Sequence, residues 1–197
     1  MFSKNKGFTL IELLIVIAIL AVLATVTVVA INPAEIFRRT RDSQRLSDLD
    51  SIRTAINFYV VNTSSPVLGS ASNSYSHVAS TNCAGRTGTT GTQAVDGSGW
   101  IPVSLTSLGG TAPLSKWPID PNPTTSNGNP GRYYVYLTNS TNSTFEVIAN
   151  MESAQYSKDG SNDVESKDGG KLDALYEVGT EFIATTTGTN CFAGTGY

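Results

Sequence analysis

Hydrophobic and polar positions divide the chain into four blocks. Residues 1–7 are polar and carry Lys4 and Lys6. From 13 to 31 nearly every residue is apolar, and no charge occurs between Leu13 and Ala34. As a helix, residues 8–31 would be roughly 36 Å long at ~1.5 Å per residue. That length crosses a hydrocarbon core of about 30 Å. A soluble core helix this long would keep a polar face, and none is present. The pattern places the segment in a membrane or in a wholly apolar bundle, with Glu12 as its single acid.

The third block, 32–61, changes period. Leu46, Leu49, Ile52, Ile56, Tyr59 and Val60 recur at three- and four-residue intervals, which predicts an amphipathic helix with one apolar stripe. Arg45, Asp48, Asp50 and Arg53 fall opposite the stripe and are expected to face solvent. Asn32 is a candidate cap, and Pro33 stands where a helix bends or restarts. A helix continuing through Pro33 would make 8–61 one kinked rod of about 80 Å. Ser64, Ser65 and Pro66 end it.

The fourth block, 62–197, reads as short strands between long loops. Residues 132–138 (RYYVYLT) and 144–150 (TFEVIAN) are rich in β-branched and aromatic side chains. The polar run 139–143 between them predicts an antiparallel hairpin. Residues 100–105 and 175–184 are further strand candidates, and 70–99 reads as loop from its Ser, Thr, Gly and Asn content. The expected fold class is α+β: a long N-terminal helix, half apolar and half amphipathic, packed on a small antiparallel sheet domain.

Composition narrows the function classes. Charged residues are 15% of 197, against roughly 25% in ordinary soluble domains. The net charge of −3, with nine acids against three lysines from Thr141 onward, gives no reason to expect nucleic acid as partner. One His and two Cys exclude a His-rich metal centre or a Cys₄ zinc site. No set of His, carboxylate and nucleophile stands out, so the chain reads as a non-enzyme. His77, in a polar stretch, is expected at the surface, and Tyr133, Tyr134 and Tyr136 are expected to pack the sheet.

Glu12 needs a partner. A carboxylate at the centre of a bilayer costs about 2.5–3.5 kcal/mol, so an acid in an apolar span calls for a counter-charge. A free amine near the start of the span would supply one, within the chain or from a neighbouring copy, with an ordinary pKa of about 7.7–8.0. Pairing with a neighbouring copy through that amine would fix the axial stagger of a helical bundle.

Lys6-Gly7-Phe8-Thr9-Leu10-Ile11-Glu12, followed by LLIVIAILAVLA, closely resembles the N-terminus of type IV pilin-like proteins. That family comprises pilins and the pseudopilins of type II secretion and competence. The resemblance implies a leader 1–7 removed by a prepilin peptidase after Gly7, N-methylation of Phe8, and an assembly role for Glu12. Residues 41–56 resemble the second helix half of major (G-type) pseudopilins, and Trp117-Pro118-Ile119-Asp120-Pro121 before a Tyr-rich strand resembles them more loosely. Ser65-Pro66 and the long stretch 70–99 depart from that subfamily's pattern.

The resemblance implies a pilin-like fold and a structural subunit of a type II secretion pseudopilus or a type IV pilus. It implies a homo-oligomeric helical filament, an inner-membrane assembly platform, minor pseudopilins or pilins, and membrane lipid as partners. It places the chain as a single-pass protein of the bacterial inner membrane, with 62–197 extracytoplasmic, and later in an extracytoplasmic filament. The positive-inside count points the other way, with two Lys before the span and Arg38, Arg39, Arg41 and Arg45 after it. The alternative reading is a secreted or membrane-tethered extracytoplasmic protein with an ordinary or uncleaved signal segment.

Two further sites depend on that placement. An extracytoplasmic location permits a disulfide between Cys83 and Cys191, or leaves both as thiols. Major pseudopilins can bind calcium in a C-terminal loop. Here Asp159, Asp163 and Asp168 in 158–171 (KDGSNDVESKDGGK) are the candidate ligands, against a plain solvated turn.

Overall fold

The computed structural model describes residues 7–70, 74–78, 89–90, 92–124, 131–139 and 143–184. Cys83 and Cys191 lie outside the described residues. The chain divides into two compact units, Met1–Phe37 and Arg38–Tyr197.

In the first unit, helix α1 (Leu10–Ile31) stops at Asn32, which adopts left-handed φ 45° and ψ 73°. Asparagine tolerates that region better than most residues with a Cβ. Helix α2 (Pro33–Asn62) restarts at once. Pro33 has no N–H for a helical bond, and its fixed φ suits the first helical position. The Asn32 carbonyl accepts the N–H groups of Glu35 (3.0 Å) and Ile36 (3.4 Å), and its Oδ1 also accepts from Glu35 N–H at 3.4 Å. Asn32 is therefore both the stop of one helix and the cap of the next.

In the second unit, the α2 stripe packs as expected. Leu49, Ile52, Ile56 and Tyr59 are buried, Ala55 joins them, and Val60 packs at the margin. They meet one face of a five-stranded sheet in the order β2-β1-β3-β4-β5. The strands are β1 (Ser74–Ser76), β2 (Thr89–Thr90), β3 (Val135–Asn139), β4 (Thr144–Ala149) and β5 (Tyr176–Gly179). β1, β3, β4 and β5 are antiparallel to their neighbours, and β2 runs parallel to β1.

The two-residue period of the strands sorts their side chains into two cores. Tyr75, Tyr136, Phe145, Val147 and Val178 face the α2 cluster, with Trp100 and Trp117. Val135, Leu137 and Ile148 face a second cluster with Tyr133, Leu172, Leu175 and Ala184. Both faces are covered, which is why β3 and β4 read as near-continuous apolar runs.

One expectation holds with a shifted boundary, and three are corrected. The hairpin exists with Val135 opposite Ile148 and Asn139 opposite Thr144, so Asn139 belongs to the strand; residues 140–142 lie outside the described residues. Residues 100–105 are not a strand. Trp100, Ile101, Val103 and Leu105 are all buried, and Pro102 interrupts any ladder. That chain instead turns into a 3₁₀ helix, Leu105–Leu108, ending on left-handed Gly109. Within 175–184 only Tyr176–Gly179 is strand. Within 70–99, the segments Ser74–Ser76 and Thr89–Thr90 join the sheet, an outcome that the polar composition concealed.

Candidate processing and assembly site

Gly7 and Phe8 precede the first turn of α1, and the Phe8 side chain is 88% exposed. Thr9 is the N-cap, in extended conformation. Its Oγ1 accepts the Glu12 N–H at 3.3 Å, while Glu12 Oε2 accepts the Thr9 N–H at 2.8 Å and the Thr9 hydroxyl at 2.7 Å. This reciprocal arrangement is a capping box, and it satisfies two amides that the helix itself leaves open. It also places the one acid of the span where the helix dipole is positive. Among the described residues, Glu12 Oε1 accepts no bond.

Beyond that turn α1 offers no polar group for a partner. Thr25 and Thr27 donate their hydroxyls to the carbonyls of Ala21 (2.7 Å) and Leu23 (2.8 Å) of their own helix. Thr hydroxyls bonded in this way are compatible with a hydrocarbon surrounding. The whole apolar surface is uncovered: the span is long and apolar enough to cross a membrane, and none of it is buried. Helix α1 therefore presents an apolar cylinder with a single carboxylate, oriented by Thr9, near its N-terminal end.

Residues 2–28 match the prokaryotic N-terminal methylation motif. The chain carries a type IV pilin-like prepilin signal. No curated protein and no solved structure matches the chain. The motif spans Gly7, Phe8, Thr9 and Glu12 together with most of α1.

In the second unit the structure assembles a group of side chains that periodicity missed. Arg45, expected on the solvent face, is fully buried. Its Nε and Nη2 donate to the two Asp120 oxygens at 2.7 and 2.9 Å, Nη1 to Asp42 at 2.7 Å, and Nη2 also to Glu152 at 2.5 Å. Glu152 is shared with Arg41 (2.5 Å) and Arg132 (2.8 Å), giving three cations and three anions. Burial opposes the Arg45 charge, but Asp120, then Glu152 and Asp42, outweigh it and raise its pKa. Burial likewise disfavours the Glu152 carboxylate, yet Arg41 and Arg45 bring it down to about 2. Asp42 Oδ2 further accepts the Ser153 N–H at 2.8 Å. The cluster fastens α2 to the 120 and 152 loops. Its only signal in the sequence was the Asp42–Arg45 spacing, which is equally common on exposed helices.

His77 is half-buried rather than superficial, a correction. It packs edge-on against Trp100 (5.8 Å) and Tyr134 (5.9 Å). Its Nε2 accepts the N–H groups of Asp120 (3.2 Å) and Tyr134 (3.4 Å). Burial pushes its pKa down to about 4, against a small opposing effect of Asp120. The Tyr expectation fares better: Tyr133, Tyr134 and Tyr136 are buried, with Tyr134 donating to Asp48 (2.8 Å) and Tyr136 to the Leu68 carbonyl (2.9 Å).

Asp159, Asp163 and Asp168 are not gathered. Asp163 accepts from Asp159 N–H (3.0 Å), Ser166 N–H (3.0 Å) and the Ser166 hydroxyl (2.5 Å), closing its own turn. Asp168 accepts from Gly170 N–H (2.7 Å) and Glu177 N–H (2.6 Å), serving a different loop. Among the described residues no three His, Cys, Asp or Glu side chains converge as a metal-holding group.

Proposed function

We propose that this chain is a non-enzymatic structural subunit of a helical filament, made as a membrane-anchored precursor. A prepilin peptidase removes residues 1–7 after Gly7, and Phe8 becomes the N-methylated first residue. α1 anchors the precursor in the bacterial inner membrane and later forms the filament core with copies of itself. The sheet unit then faces outward on the extracytoplasmic side. An inner-membrane assembly platform and minor pseudopilins or pilins complete the machinery.

One observation carries this reading: an uncovered apolar helix whose single carboxylate is held one turn from Phe8, within the matched motif. Thr9 already uses Glu12 Oε2, so Oε1 is the atom left for the Phe8 amine of a neighbouring copy. Such a pair would neutralise a charge that hydrocarbon tolerates poorly. Between the two filament types, the resemblance of 41–56 to G-type pseudopilins favours a type II secretion pseudopilus over a type IV pilus.

Mass analysis of the mature protein from membranes tests the proposal. A chain beginning at Phe8 and carrying one extra methyl group is expected. A mature chain beginning beyond Ile31 would establish an ordinary secretory signal instead, and an intact leader in assembled material would refute the processing step.

A further inference from the structure

The face of the sheet turned away from α2 buries two carboxyl groups without a cation. Glu146 on β4 is fully buried and Glu177 on β5 is 1% exposed. The ladder sets Glu146 opposite Gly179 and Ile148 opposite Glu177, so the two acids are diagonal neighbours on one face. Diagonal pairs lie within reach of long side chains. The backbone is close-packed here: a Cβ on Gly179 would lie 2.1 Å from the Phe145 carbonyl oxygen and 2.8 Å from Glu146 Cα, and one on Gly170 would lie 2.0 Å from Glu177 Oε2.

The four oxygens are used unequally. Glu146 Oε2 accepts the N–H groups of Ile183 (2.6 Å) and Ala184 (2.7 Å), tying the segment after β5 onto the sheet. Glu177 Oε2 accepts the Leu172 N–H at 2.7 Å. Both Oε1 atoms are buried and have no partner among the described residues. The surroundings are Leu137 opposite Glu146 on β3, then Ile148, Leu172, Leu175 and Ala184. The other titratable groups nearby are Asp168, whose carboxylate accepts the Glu177 N–H, and the phenol of Tyr133 in the same cluster. Among the described residues no Lys, Arg or His pairs with either glutamate.

Two ionised carboxylates cannot share so small an apolar space, because burial and mutual repulsion both disfavour the second charge. No third acid completes a metal site. We propose that Glu146 and Glu177 hold one proton between their Oε1 atoms, so that alkaline pH destabilises the sheet unit in which they are buried. Burial first, and then the neighbouring Glu177, push Glu146 up to about 9.

The sign follows from linkage. A folded pKa raised above the unfolded value means that the folded state keeps a proton which the unfolded chain has released. Stability is then present at low pH and is lost as pH rises toward the folded pKa. Other raised carboxyls, Asp168 at about 6 and Glu165 at about 7, titrate lower, and comparison with Glu146→Gln removes their share of the slope.

The test uses the full chain in detergent micelles. Between pH 7 and 9 the unfolding constant of the wild type should rise about tenfold per pH unit, the slope for one proton. In Glu146→Gln the amide donates permanently to Glu177, and the rise attributable to the pair should vanish. Infrared spectra at pH 8, above the Glu165 and Asp168 values, should show the carbonyl stretch of a protonated carboxyl in the wild type, and both Glu146→Gln and Glu177→Gln should lose that intensity. The spectrum of the wild type needs no variant to fold. An unchanged slope in Glu146→Gln, or the absence of that band in the wild type, would overturn the proposal. So would calcium titrated into the wild type, if it removed the slope and the band together, because a cation would then occupy the pair.

Discussion

Arg45 and Asp120, separated by 75 residues, meet through two parallel hydrogen bonds of 2.7 and 2.9 Å in a fully buried setting. A planar guanidinium fits a carboxylate in this way, and lysine does not. Because Glu152 and Asp42 take further donors, removing Arg45 would leave Asp42 and Asp120 without a cation in this cluster, while Glu152 keeps Arg41 and Arg132. Arg45→Ala should therefore destabilise the sheet unit by about 3–5 kcal/mol. Arg45→Lys should recover part of that but lose the two-point contact with Asp120. Denaturant unfolding followed by tryptophan fluorescence reads both, since Trp100 and Trp117 are buried in the adjoining core.

The same cluster is sensitive to acid. Glu152 has a folded pKa of about 2, below its ordinary value of 4.5. Its contribution is present above about pH 4.5 and is lost as pH falls toward 2. In an acid titration Glu152→Gln should be less stable than wild type at pH 6, and the difference should shrink by pH 2.

His77 is the only histidine, so its ring resonances in an NMR titration are unambiguous. Their midpoint should lie near 4 rather than 6.5. A neutral ring that accepts two backbone N–H groups binds fewer protons folded than unfolded. Stability from this site is therefore lost as pH falls from about 6.5 through 4. A midpoint near 6.5 would show that the ring is hydrated.

Glu12→Ala separates processing from assembly. The variant should be synthesised, cut after Gly7 and methylated at Phe8, yet form few filaments. Electron microscopy of sheared material checks the second outcome and mass analysis the first. Filaments in normal number would remove the pairing role of Glu12.

The core provides an internal control. Ile52 is fully buried against the sheet, so Ile52→Ala should cost about 2–5 kcal/mol. Thr54, exposed on the opposite side of α2, should tolerate Ala within about 0.5 kcal/mol. Thermal unfolding in detergent measures both.

Elements decided by local physics were legible. An uninterrupted apolar run has one stable form in hydrocarbon, so α1 could be read directly, and Asn32-Pro33 marks its end by steric rules alone. The stripe from Leu49 to Tyr59 and the hairpin of β3 with β4 followed from their periods. The methylation motif was legible because its residues are consecutive in the chain.

What only the tertiary structure decided concerns polar groups whose partners come from far along the chain. Periodicity assigns Arg45 to water, and only the arrival of Asp120 and Glu152 makes its burial affordable. Ser74–Ser76 has no strand-like composition, yet the free edge of β3 supplies its hydrogen bonds. Glu146 and Glu177 read as ordinary polar alternations, and their mutual burial depends on a second core that covers the outer face. Local pattern fixes where a segment forms helix or strand, because backbone bonds and apolar periodicity are short-range. The protonation and pairing of a buried charge depend on the field of whatever folds around it, and that field is set by contacts tens of residues apart.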